Sequence, residues 1–233
     1  MEEVIIMVNK KMLVSSALLG MLGLGFASQA FADEGDSQTI EGMKDQTSAE
    51  VITRGNLGKI DPTDPETPLP EGDDRWIKVT LPTAVVFEST EDQTGIKSSD
   101  KYEISNESGR PVKVDVANYN ITEGNGVKAL TSLNIKRSAG YKGNETVNLV
   151  SSESGAEIKN YEINQEFVRL ANTNGDFDDT KNGDKSTNFQ FTGTMNKDNL
   201  KEEQNFVESK LTFRFTALRM DGLTIEEAKD QGK

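Results

Sequence analysis

Cysteine and histidine are both absent from this 233-residue chain. No disulfide framework can form, and no cysteine nucleophile, Ser-His-Asp triad or His- or Cys-ligated zinc site is available. Carboxylates, hydroxyls, amides and amines are left for any chemistry. Tryptophan occurs once, and apolar residues make up 34% of the chain, below the roughly 45–50% of ordinary globular domains. Cationic charge is also scarce. Lys and Arg number 26 against 39 Asp and Glu, a net charge of -13. Such an anion does not bind nucleic acid or acidic lipid through bulk electrostatics.

The first long apolar run is a leader. Asn9-Lys10-Lys11 is its basic segment, Met12 to Phe26 its apolar stretch, and Ala30-Phe31-Ala32 a small-x-small cleavage site. The run is shorter than the roughly 20 apolar residues a spanning helix needs. Residues 1–32 are therefore expected to be a signal peptide, with Met1 or Met7 as the start. Its removal takes out Lys10, Lys11, Glu2 and Glu3, so the net charge stays at -13. The processed chain is expected to be secreted and not membrane-spanning. A secreted chain without cysteine suits a Gram-positive bacterium.

Residues 33–60 follow as a polar segment. Its acidic, aperiodic start predicts a disordered extension, and Ala49-Glu50-Val51-Ile52-Thr53 is one candidate strand. Residues 61–74 hold four of the six prolines, interleaved with like charges, and read as a semi-rigid spacer.

From Arg75 onward the rhythm changes to a period of two. Ile77, Val79 and Leu81 alternate with polar neighbours until Pro82, and Val85 to Phe87 resumes the pattern. Residues 101–105 and 112–117 flank the turn-rich Asn106-Glu107-Ser108-Gly109-Arg110-Pro111, which predicts a β-hairpin. Leu133 and Ile135 lead through Gly140–Asn144 back to Val147 and Leu149. Glu166–Ala171 reads as a strand, Asn172–Thr187 as a polar loop, and Phe189 and Phe191 as the inner row of another strand. Glu208–Leu218 is the cleanest alternation, with Leu211, Phe213, Phe215 and Ala217 inward and Lys210, Thr212, Arg214 and Thr216 outward. Thr224, with Glu227 three residues later, predicts a capped helical turn in a C-terminal tail, residues 220–233. The expected fold is all-β: an antiparallel β-sandwich of about nine or ten strands over residues 75–219, Ig-like or Greek-key.

Candidate sites are few. Asn172–Asp184 places oxygens at alternate positions around glycine, as a calcium loop does, with Asp176, Asp178 and Asp184 as candidate ligands. Calcium is the one cofactor the sequence suggests. Position twelve of an EF-hand register falls on Phe189, and a solvated acidic loop is the plainer account. Trp76 reads as a core or rim aromatic, or as a platform for a sugar or partner. Lys210 and Arg214 share an outer strand face and form a candidate partner-binding patch. No order of Asp and Glu marks a catalytic pair.

Leader, short Ala49–Thr53 strand, Asp61-Pro62-Thr63-Asp64-Pro65-Glu66-Thr67-Pro68 spacer and β-rich domain together resemble the WxL-type surface proteins of Gram-positive bacteria. The resemblance implies a secreted protein held non-covalently on peptidoglycan. The family's Trp-x-Leu motifs are missing, since the only Trp stands in Trp76-Ile77-Lys78. A distant relative or a companion protein is therefore implied. The C-terminal residues carry no sortase motif or apolar tail, so covalent attachment is not expected.

The function expected is a non-catalytic, cell-surface protein, wall-associated or adhesive through other surface proteins or cell-wall glycan, with homo-oligomers allowed. The alternatives are a fibre subunit, in which residues 49–53 add a strand to a neighbour, and a carboxylate-based hydrolase.

Overall fold

A computed structural model describes residues 58–178, 181–201 and 205–232. The expected leader, the polar extension and the 49–53 strand lie outside the described residues. The described residues form twelve strands and one short α-helix: β1 (Val79–Thr80), β2 (Phe87–Ser89), β3 (Gly95–Ser98), β4 (Tyr102–Asn106), β5 (Val112–Glu123), β6 (Leu130–Arg137), β7 (Thr146–Ser151), β8 (Asn160–Leu170), β9 (Asp176–Asp178), β10 (Lys181–Asn182), β11 (Ser186–Met195), β12 (Glu208–Ala217) and α1 (Ile225–Asp230). The fold is all-β and antiparallel throughout. Among the described residues no helix is long and apolar enough to cross a membrane.

The larger sheet is built around β11. One side of β11 pairs with β6, which pairs with β7. The other side is shared: β4, with β1 outside it, takes residues 186–189, and β3, with β2 outside it, takes residues 193–194. The smaller sheet has the order β12-β5-β8. β9 and β10 form a separate two-stranded ribbon.

Both sheets contribute to one apolar cluster. Ile104, Leu133, Ile135, Phe189 and Phe191 enter it from the larger sheet, and Val112, Val114, Val116, Phe167 and Val168 from the smaller. The Phe189 and Phe213 rings meet edge-on at 5.9 Å, joining β11 to β12 across it. A side-chain period of two supplies most of these residues, and a register shift in β8 lets the adjacent Phe167 and Val168 both enter. Burying each Phe, Leu, Ile or Val contributes roughly 1.5–3 kcal/mol.

The predicted hairpin at 101–117 does not form. β4 and β5 lie in different sheets, so residues 107–111 arch across the core edge. Asn106 explains this. Its buried amide donates to the carbonyls of Arg110 at 2.9 Å and Ala171 at 2.8 Å, while its Oδ1 accepts from the Ser108 amide. The turn is thus closed by a side chain. Val112, Val114 and Val116 then face Ile104 from the opposite layer. The predicted return from Leu133 and Ile135 to Val147 and Leu149 is present as the β6–β7 pair.

The predicted spacer, residues 61–74, is also corrected. It is packed down on the domain. Leu69 and Trp76 are buried with Ala217, and Ile60 packs against them. Successive turns close at Asp61–Asp64 and Asp64–Thr67, and the Gly109 amide donates to the Pro62 carbonyl. The prolines set φ for these turns instead of extending the chain. The tail after residue 219 is likewise tied in, through α1, whose Thr224–Glu227 capping box is formed as predicted.

Candidate functional site

The outer surface of β7, β6 and β11 is a field of amides and hydroxyls. Alternation along β11 sends Phe189 and Phe191 inward, so Asn188, Gln190, Thr192 and Thr194 point away from the core. Pairing register then aligns neighbours across strands. Thr192 stands beside Asn134, which stands beside Asn148; Gln190 stands beside Lys136, which stands beside Thr146. The Asn148 amide donates to Asn134 Oδ1 at 2.9 Å, and the hydroxyls of Thr131 and Ser132 lie 2.9 and 2.8 Å from that of Thr194. Lys136 forms a 3.3 Å ion pair with Glu145, leaving this part of a strongly acidic protein locally neutral. A shallow groove at one end is lined by Lys136, Glu145, Asn188 and Gln190, among others.

These groups are chemically suited to hydrogen-bonding a neutral polar polymer. Each amide offers donors and acceptors, and each hydroxyl both. The pattern is visible in the sequence only as the polar half of an alternation. Its assembly into rows needs the register.

The residues singled out in the sequence do not converge. Asp176 lies on β9, where its backbone amide donates to Asn172 Oδ1 at 2.8 Å. Asp178 ends the same strand. Asp184 Oδ2 accepts from the Gly140 amide at 3.2 Å. Among the described residues no group of three or more Asp or Glu is placed to hold a metal ion. The loop's ordering element is Asn172, fully buried, whose side chain accepts from the amides of Asn174 and Asp176.

Trp76, expected as a candidate partner-binding residue, is fully buried, so its ring is not available to a sugar or partner. Its indole N–H donates to the Pro70 carbonyl at 2.8 Å. Arg214 pairs with Asp115 Oδ2 at 3.4 Å, opposite it on β5. Lys210 is exposed four residues before it on the same strand, opposite Asn120. These two do share a face, as the alternation predicts.

Two buried arginines escaped the sequence reading. Arg110 donates to Glu71 Oε1 and to the Pro65 carbonyl at 3.1 and 2.9 Å. Arg169 donates to the Gly222 carbonyl at 2.7 Å and forms ion pairs with Glu166 and Glu227. Burial opposes the Arg169 charge, but the two carboxylates overcome it and raise its pKa. Glu227 is held down at about 2, first by its hydrogen bond from Arg169. Both arginines tie chain segments together away from the polar face. Apart from Glu166, three residues before Arg169, the partners named here are remote in sequence, so spacing gave little signal.

No protein-family model, curated protein or solved structure matches the chain.

Proposed function

We propose that this is a secreted, non-catalytic bacterial surface protein that contacts neutral cell-wall glycan through the outer face of β7, β6 and β11. The observation that carries the reading is the cross-strand row of Thr192, Asn134 and Asn148, flanked by Gln190, Thr146 and Thr194. A net charge of -13 opposes binding to anionic wall polymers. A neutral amide-and-hydroxyl face avoids that penalty and matches sugar hydroxyls. The expected leader at residues 1–32 supports export, and the resemblance of residues 48–70 to WxL-type proteins supports retention at the wall. Stability without disulfides fits the same setting: arginine–carboxylate ties close the ends of this fold instead.

Co-sedimentation with insoluble peptidoglycan stripped of anionic polymers tests the reading. The protein should pellet with the glycan, and Asn134→Ala with Asn148→Ala should weaken binding about tenfold, two net hydrogen bonds' worth. Failure to pellet, or binding unaffected by the double variant, overturns it.

A further inference from the structure

We propose that the outer edge of β12 pairs antiparallel with β12 of a second copy of this chain, about a two-fold axis at Leu211. β12 is the outermost strand of its sheet. Among the described residues its backbone pairs only with β5. Both register shifts in that pairing fall on β5, which passes from Asn118 to Val116 and from Glu123 to Ile121. β12 itself is therefore regular, and no bulge turns its edge away from a partner strand. Among the described residues, Leu69 and Trp76 pack on its end at Ala217.

Charge selects the register. Directly opposed residues in an antiparallel pair must share a face, so the two-fold must pass through a residue and not between two. An axis at Thr212 sets Lys210 against the partner's Arg214, a like-charge contact on both sides. An axis at Phe213 reaches Ala217, already covered. An axis at Leu211 sets Arg214 against Glu208 of the second copy, twice by symmetry, and Lys210 against Thr212. Opposite charges directly across strands stabilise a pair, and like charges oppose it. The same axis continues the inner row: Phe213 meets Ser209, and Phe215 meets Val207. Leu211, Phe213 and Phe215 are only partly buried in the single chain. The result is a continuous six-strand sheet across two molecules. The proposal does not depend on glycan binding.

Sedimentation velocity on protein purified from cells expressing the full chain tests it. A concentration-dependent dimer is expected, with Glu208→Lys raising the dissociation constant at least tenfold at an unchanged melting temperature. Lys210→Cys combined with Thr212→Cys should give a disulfide-linked dimer on oxidation, because this register sets the two positions opposite each other. A chain that remains monomeric to millimolar concentration overturns the proposal. So does a dimer that neither weakens with Glu208→Lys nor cross-links, or one lost on deletion of residues 33–57.

Discussion

Arg110 lays its guanidinium 4.2 Å from the centre of the Trp76 ring. The same side chain reaches Glu71 and the Pro65 carbonyl, and Glu71 Oε2 accepts from the Met220 amide at 3.1 Å. One buried cation therefore joins the proline-rich segment, the arch after β4 and the chain leaving β12. Its delocalised, planar charge suits stacking and forked hydrogen bonding together.

Arg110→Ala should lower unfolding free energy by about 2–4 kcal/mol, because the largely buried Glu71 loses its ion-pair partner and keeps only the Met220 amide. Arg110→Lys should recover part of this, since an ammonium cannot reproduce the fork. Urea denaturation of both variants measures the difference.

Gly109→Ala should destabilise by about 1–3 kcal/mol. An added Cβ would sit 2.9 Å from the Asp64 carbonyl carbon and from the Pro65 nitrogen. The loss should show as a lower melting temperature and faster proteolysis within residues 61–74. If that segment were a detached spacer, the substitution would be silent.

Glu227 links stability to pH. Its folded pKa, about 2, lies below its ordinary 4.5. The unfolded chain thus takes up a proton first as pH falls. The contribution is fully present above about pH 4.5 and is lost as pH drops toward 2. Glu227→Gln should flatten the stability profile over that window and lower stability at neutral pH. Melting temperatures from pH 2 to 7 provide the check.

Tyr119→Phe should leave stability unchanged or raise it by about 1 kcal/mol. The Tyr119 hydroxyl is buried with no hydrogen-bond partner of good geometry among the described residues. Burial pushes its pKa up to about 12, and Ser209 offsets only part of that rise. A melting temperature below that of the native protein would show that the hydroxyl is satisfied in solution.

Much of the fold was legible because strand formation leaves a local trace. Alternation over 208–217 marked β12 and its two faces, and Thr224 with Glu227 marked α1, since both depend on residues a few positions apart. β1 is shorter than the alternation of Ile77, Val79 and Leu81 predicts: only Val79 and Thr80 pair, because Pro82 follows too soon for a longer ladder. The polar face was harder to see. Asn134, Asn148 and Thr192 each look like an ordinary outward residue, and nothing in their spacing says they will stand in line.

Composition and alternation by themselves determined an all-β chain without thiol or imidazole chemistry. They follow from residue identity and from a side-chain period of two. Tertiary structure alone decided that 106–111 is an arch, that 61–74 is packed, and that Trp76 is buried. Those outcomes rest on Asn106 reaching Ala171 and on Arg110 reaching Glu71. Contacts across 65 and 39 residues leave no periodic mark in the sequence.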